Sequence, residues 1–289
     1  MSKDIANKST IIDTLKKYNL YANKNFGQNF LIDANIVKSI VSKSDVSKDT
    51  CVIEIGPGIG SLTQELSRHA KKVICIEIDT KLQPVLEETL SDCDNVTIVY
   101  EDFLKLDLTW LKETYLKDEE DVKVVANLPY YITTPILIKL FEHKQILSLV
   151  SITAMMQKEV ALRLSAKKDT KDYNSLTILT QYYSEPSIII NVPKNVFIPP
   201  PNVDSSVVLF KMRESLTKPN NEELFFKLLR VLFKQRRKTI LNNLNELYND
   251  KEVTRSILEA NNLAINLRAE NLTLNQIIDL SNYIGDNHD

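Results

Sequence analysis

Glycine is nearly missing from this chain. Five occur in 289 residues, and three of them, Gly56, Gly58 and Gly60, fall within five positions. A sequence so short of glycine has spent it where the backbone must leave the region open to other residues. Cysteine is as sparse: Cys51, Cys75 and Cys93 are an odd number without metal-type spacing, and the first two lie in apolar runs. That argues against a disulfide framework and for a reducing compartment, the cytoplasm. The histidines, His69, His143 and His288, are scattered singly. A zinc site and a Ser-His-Asp triad therefore lack their parts, and no metal is expected. No run reaches the ~18 apolar residues of a membrane helix. The stretch Met1–Tyr18 is studded with lysine and aspartate, unlike a secretory leader. Charge of one sign is also lacking, since 36 Lys and Arg against 38 Asp and Glu leave −2. A nucleic-acid partner would have to be met by a local patch.

What is present is ordinary globular composition, 43% hydrophobic and 26% charged, at a length that suits one large domain or two. A short helix is expected near Ile11–Tyr18, opened by Thr10 and Asp13 as a capping box. The loop Tyr21–Asn29 follows. Asp33 then caps a helix that carries Ile36, Val37, Ile40 and Val41 at helical spacing. From Thr50 onward short β-branched runs alternate with helical stretches. The candidate strands are Cys51–Ile55, Lys72–Glu77, Val96–Tyr100, Val122–Ala126 and Leu147–Thr153, and Ser61 with Gln64 reads as a capping box just after the glycines. This alternation predicts an α/β fold with a doubly wound, mostly parallel sheet. Ser187–Val192 and Val203–Met212 are expected as an antiparallel edge hairpin. Past the polar linker Lys218–Asn221 only helical periodicity remains, through Leu224, Phe225, Leu228, Leu229, Leu232, Ile240, Leu241 and Leu244. The expected division is an α/β domain over 1–213 and a small helical domain over 222–289.

The polar residues fall at strand ends. Gly56 follows the first strand, Glu77 ends the second, Asp102 follows the third and Asn127 the fourth. In an open parallel sheet ligands bind beyond the carboxyl ends of the strands, so these four should line one crevice. Glycine there lets backbone N–H groups approach a ligand, and the helix starting at Ser61 aims its positive end the same way. Glu77, 21 positions after Gly56, is placed to accept hydrogen bonds from a ribose diol. The spacing G-x-G-x-G differs from the dinucleotide pattern, and Pro57 removes an N–H that a pyrophosphate would use. Asp102 instead suits the amino group of an adenine.

The tetrapeptide Asn127-Leu128-Pro129-Tyr130 carries the candidate chemistry. The Asn127 carboxamide oxygen and the Leu128 carbonyl are two acceptors able to grip an exocyclic NH2. Tyr130 offers a flat face on which an extruded base can stack. Adenine's amine is a poor nucleophile because its lone pair is delocalised into the ring. Two acceptors out of the ring plane would draw the nitrogen toward tetrahedral geometry and localise that pair. Methyl transfer from a sulfonium then needs positioning and electrostatics more than a strong base. A second aromatic partner is expected in Phe197, ahead of the stiff Pro199–Pro201 run. A polyproline turn entering an edge strand is the competing reading of that segment.

Taken together these residues resemble the KsgA/RsmA family, S-adenosylmethionine-dependent dimethyltransferases of adjacent adenines near the 3′ end of small-subunit (16S) ribosomal RNA. The resemblance runs through FGQNFLID (Phe26–Asp33), VIEIGPGIGSLT (Val52–Thr63), IEID (Ile76–Asp79), EDFLK (Glu101–Lys105), NLPYYITTPI (Asn127–Ile136), MMQKEVALRL (Met155–Leu164), FIPPPNVDSSVV (Phe197–Val208) and LFKQRRKTILNNL (Leu232–Leu244). It implies a Rossmann-like class I methyltransferase domain with an N-terminal cofactor-covering segment, followed by a helical domain that contacts RNA. It further implies that Asn29, Leu31, Gly56, Glu77, Asp102 and Asn127 contact S-adenosylmethionine, with Gln28, Ile78 and Phe103 around it. Asn127, Leu128, Tyr130 and Phe197 would hold the target adenine. Lys234, Arg236, Arg237 and Lys238 form the strongest basic cluster and are the expected RNA contact, with Lys24, Lys167, Lys168 and Lys171 as other local charges. A charge run on a helix is also commonly a solvated face. The segment Lys167–Asn174 departs from the family by lacking proline and glycine. A cytoplasmic monomer acting on 16S rRNA in the small subunit is expected, with a role in small-subunit biogenesis. Two other readings stand beside it: an erythromycin-resistance-type methyltransferase of 23S rRNA, and an assembly factor acting mainly by binding. A nicotinamide-dependent enzyme is disfavoured by the glycine spacing.

Overall fold

Five β-branched runs, each too short and too apolar to stay in water, set the architecture. In a computed structural model, which describes residues 4–20, 28–213 and 217–287, they become β2 (Cys51–Ile55), β3 (Lys72–Glu77), β4 (Val96–Tyr100), β5 (Val122–Asn127) and β6 (Leu149–Gln157). Pairing is parallel throughout this set, and every residue of β2 is buried. Such strands have helices on both faces, which is why they read as continuous apolar runs. The helices are α1 (Lys8–Lys17), α2 (Ala34–Lys43), α3 (Ser61–His69), α4 (Gln83–Thr89), α5 (Leu108–Tyr115), α6 (Thr133–Glu142) and α7 (Lys158–Leu164). The sheet is completed by β9 (Ser205–Met212), antiparallel to β6, and by β7 (Ser184–Val192) at the edge, in the order β4-β3-β2-β5-β6-β9-β7. A separate two-stranded pair joins β1 (Phe30–Leu31) to β8 (Phe197–Ile198). The doubly wound, mostly parallel sheet and its antiparallel edge pair are thus present. Strand order reverses between β2 and β5, which places the ligand crevice outside the carboxyl ends of those two strands.

Two caps differ from the sequence reading. The first helix starts earlier, at Lys8, with the Asn7 side chain accepting from Ser9 N–H, so Thr10 and Asp13 do not open it. The α3 start has no side-chain cap: Gly60, in left-handed conformation at φ +91°, takes that position. Gln64 is drawn away because its carboxamide oxygen accepts the backbone N–H of Ile5 at 3.0 Å. Asp33 does cap α2, accepting from Asn35 and Ile36 N–H at 2.9 and 3.2 Å. The strand expected over Leu147–Thr153 begins and ends later, because Ser148 turns the chain at φ +54°. The loop Tyr21–Asn29, with Lys24, and His288 fall largely or wholly outside the described residues.

The chain folds as two compact units, one comprising Met1–Ala161 and Ser187–Met212 and the other Leu162–Pro186 and Arg213–Asp289. The second is helical: α8 (Ser175–Tyr183), α9 (Glu222–Leu232), α10 (Ile240–Tyr248), α11 (Lys251–Ala260) and α12 (Leu274–Asn287). Its core joins Phe225, Leu228, Leu244, Ile257 and Ile277 to Ala166, Tyr173, Ile178 and Tyr182. Residues of the 166–182 stretch therefore share one core with the later helices. The Lys167–Asn174 segment makes its turn without glycine: Asp169 adopts φ +68°, a conformation Asp tolerates. Asn271 holds the Asp169 carboxylate at 2.8 Å, and the buried Tyr173 hydroxyl donates to the Leu272 carbonyl at 2.8 Å. Among the described residues no helix is long and apolar enough to cross a membrane.

Candidate active site

The register of the sheet brings the strand-end residues to one rim. Ile55 pairs with Ile76 and Glu77 with Tyr100, so Gly56 and Glu77 lie level and Asp102 stands two residues beyond. Asn127 ends β5 opposite Met155. These ends wall a cleft of about 1110 Å3, open mouth included, whose lining contains Gln28, Asn29, Leu31, Gly56, Glu77, Ile78, Asp102, Phe103, Asn127, Leu128 and Tyr130. Every residue expected at the cofactor therefore stands in one wall, within the α/β unit.

Glycine shapes the floor. A Cβ on Gly56, at φ +72°, would meet nothing within 4 Å, so that position faces open space. At Gly58 a Cβ would come to 3.3 Å from the Phe30 ring, which shows how closely β1 lies over the loop. The Ser61 hydroxyl, in the same wall and at the start of the nine-residue α3, is buried with no hydrogen-bond partner among the described residues. An orphaned donor beside a helix N-terminus fits an anionic or polar ligand group.

The acids differ in environment. Glu77 is 4% exposed; its carboxylate accepts Asp79 N–H at 2.8 Å and Gly58 N–H at 3.4 Å. Burial pushes it up to about 7, against the pull of those N–H groups. Glu54, behind it on β2, is wholly buried and is pushed to about 7 as well, chiefly by burial, with Glu77 adding repulsion. The Asp102 carboxylate takes Leu104 N–H on Oδ1 at 3.0 Å, and the Lys105 ammonium stands 3.9 Å from Oδ2. Gln28 donates to Asp79 at 3.1 Å, joining the N-terminal segment to the loop after β3.

The Asn127–Tyr130 loop is held on three sides. Asn127 Nδ2 donates to the backbone carbonyl of Asn29 at 3.2 Å. The Pro129 carbonyl is occupied by Thr133 Oγ1 at 2.9 Å, while among the described residues the Leu128 carbonyl takes no hydrogen bond. The Tyr130 hydroxyl meets Ser205 Oγ, on buried β9, at 2.7 Å, and burial raises its pKa. Two acceptors beside an anchored aromatic ring can orient an amino-substituted heterocycle. Phe197 is not brought to the cleft. Its ring is 2% exposed, because Phe197 pairs with Leu31 and packs among Val192, Val207 and Met155. Stacking on a base would require that ring to leave the core.

Ser61 and Tyr131 (57% exposed) also line the cleft, and Ser205 anchors Tyr130 from outside it; none of the three was legible in the sequence as part of the site.

The basic cluster lies in the helical unit, in the loop between α9 and α10 and not on a helix. All four cations are exposed. Lys234 pairs with Glu246 at 2.5 Å and Arg236 with Glu270 at 3.0 Å, whereas Arg237 makes no ion pair among the described residues. Arg236 also donates to the Lys171 carbonyl, which brings the Lys167–Asn174 turn beside the cluster.

Comparison with known proteins returns a consistent picture. The sequence pattern of the family "Ribosomal RNA adenine dimethylase" matches residues 19–286. A protein of Staphylococcus aureus (strain Newman) named "Ribosomal RNA small subunit methyltransferase A" is 50% identical over 278 residues, covering 94% of this chain and 93% of that one. Its namesake in Staphylococcus carnosus (strain TM300) is 47% identical over 285 residues, covering 97% and 96%. Among solved structures, a dimethyladenosine transferase from Plasmodium falciparum superposes with a TM-score of 0.74 at 27% identity, covering 89% of this chain and 97% of that one. The 23S rRNA methyltransferase ErmE gives 0.68 at 26% identity, covering 89% and 100%.

Proposed function

The chain belongs to the ribosomal RNA adenine dimethylase family, and from that premise we propose that it dimethylates N6 of two adjacent adenines near the 3′ end of 16S rRNA in the small subunit, with S-adenosylmethionine as donor, in the cytoplasm. One observation carries the reading: the Asn127 amide is turned by Asn29 so that its oxygen, with the Leu128 carbonyl, which takes no hydrogen bond among the described residues, gives two acceptors beside the cleft.

Glu77 accepts from the ribose diol and Asp102 from the adenine amine of the cofactor, while Gly56 leaves the space its ligand needs. Bound there, S-adenosylmethionine supplies a methyl group on a sulfonium, already activated for transfer. Asn127 Oδ1 and the Leu128 carbonyl would hold the target amine by its two hydrogens in the first transfer and by the one remaining in the second, and localise its lone pair. Each transfer forms one N–CH3 bond, and the N6 proton it displaces passes to water. Tyr130, fixed through Ser205, gives the extruded base a face to stack on. Positioning and fixed dipoles account for the catalysis, without a strong general base. In the helical unit, Arg237 and Lys238, with Lys234 and Arg236, supply phosphate contact.

A resistance-type target in 23S rRNA has weaker support, since the small-subunit relatives are 47–50% identical and ErmE 26%. Small-subunit RNA from cells lacking this gene should have no N6,N6-dimethyladenine, and re-expression should restore it. Dimethyladenine undiminished in the deletion strain would refute the assignment.

A further inference from the structure

The turn that carries Asp102 and Phe103 is held from outside by one side chain. Lys139, on the α6 turn facing it, donates to the carbonyls of Phe103, Leu104 and Leu106 at 2.9, 3.0 and 2.6 Å. An ammonium has three donors and no acceptor, so this cluster satisfies it fully. Three carbonyl dipoles converging on one point repel one another, and a cation there removes the repulsion. The same ammonium sits 5.5 Å from the Phe103 ring centroid. Within the turn, Lys105 and Leu106 N–H both return to the Asp102 carbonyl at 2.9 Å, and Leu104 N–H fixes Asp102 Oδ1. The orientation of the Asp102 carboxylate is thus set by a turn whose outward carbonyls depend on Lys139. The helix bearing Lys139 begins at Thr133, which itself holds the Pro129 carbonyl of the base-gripping loop.

We propose that Lys139 is a positioning residue for the cofactor: from α6 it locks the Asp102–Leu106 turn in the shape that presents Asp102 and Phe103 to the donor's adenine. The proposal rests on the reading of the cleft as the S-adenosylmethionine site. It assigns a role to a residue that touches neither substrate nor the reacting atoms.

The test is calorimetric titration of the full chain with S-adenosylhomocysteine, using wild type, Lys139→Met and Lys139→Arg. Met keeps the length of the stem and removes every donor, and it should weaken binding about tenfold, the scale of losing one charged hydrogen-bonding group. Arg keeps the charge but cannot direct a compact head at three converging carbonyls, and it should fall between. In methyl transfer, KM for S-adenosylmethionine should rise with the dissociation constant. Meanwhile kcat at saturating cofactor and KM for small subunits should stay within twofold. A folded Lys139→Met that binds within twofold of wild type overturns the proposal. So does a variant that loses kcat at saturation with unchanged cofactor KM. Should Lys139→Met fail to fold, Lys139→Arg decides: a loss of threefold or more supports the role, and unchanged affinity overturns it. A wild type that does not bind S-adenosylhomocysteine would instead sink the reading of the cleft itself.

Discussion

Asn127 and Asn29, 98 positions apart in sequence, are joined by a side-chain N–H donating to a backbone carbonyl at 3.2 Å. That bond decides which end of the Asn127 amide faces the cleft. With Nδ2 engaged, Oδ1 is the end left to accept, as an amine substrate requires. Asn127→Ala should lower methyl transfer by at least ~100-fold, the scale of losing one preorganised polar contact in a transition state. Cofactor affinity should change far less, since Gly56, Glu77 and Asp102 remain. Single-turnover transfer beside calorimetric titration checks both halves, and near-normal transfer with cofactor bound would refute the assigned role.

Tyr130 and Ser205 should act as a unit. Their hydroxyls lie 2.7 Å apart with Ser205 wholly buried, so removing either leaves the other unpartnered. Tyr130→Phe and Ser205→Ala should each reduce kcat/KM by about three- to tenfold, and the double variant should lose no more than the worse single one. Fully additive losses would show that Ser205 does not work through Tyr130.

Glu77 sets a pH dependence. Burial has raised it to about 7 in the free protein, and the ionised carboxylate is the stronger acceptor for a diol. Cofactor affinity should therefore fall about five- to tenfold between pH 7.5 and 6, and Glu77→Gln should flatten that profile at a lower affinity. A wild-type affinity constant across this range would contradict the role.

Glu54 contributes to stability with the opposite pH sense. Its ordinary value of 4.5 is raised to about 7 in the fold, so the folded protein holds a proton that the unfolded chain has released between those values. The stability from that proton is full below about 4.5 and lost as pH rises through about 7, on the order of 3 kcal/mol at most. Glu54→Gln should gain melting temperature relative to wild type as pH goes from 5 to 8. A difference that stays flat would show that Glu54 is not protonated in the fold.

How far the sequence revealed all this depends on the kind of interaction. Cys51–Ile55, Lys72–Glu77 and Val96–Tyr100 were legible to the residue, because short β-branched runs bounded by polar residues mark strands whether wholly buried, as the first is, or half-buried, as the third is. Alternation then implied the rim, and the rim implied a cleft. Features that depend on distant partners were not legible. Gln64 completes a capping-box pattern on paper, yet Ile5, 59 positions away, claims its side chain. Phe197 looks like a base-stacking ring next to a stiff proline run, but pairing with Leu31 draws it into the core. The basic run 234–238 keeps its exposure but not its full charge, since Glu246 and Glu270 come from elsewhere to meet it.

The cations of the cluster differ accordingly. Replacing Arg237, which has no ion pair among the described residues, should weaken RNA binding and reduce the salt slope by about one. Replacing Lys234, already paired, should alter the slope less. Binding measured across a salt series separates the two, and equal slopes for Arg237→Ala and wild type would return the cluster to a solvated face.

The central claim is tested most directly by supplying labelled S-adenosylmethionine to undermethylated small and large ribosomal subunits in parallel, with mass mapping of the products. The account predicts N6,N6-dimethyladenine at two adjacent positions near the 3′ end of small-subunit RNA and no label on the large subunit. Label on large-subunit RNA, or none on either with the cofactor bound, would contradict it.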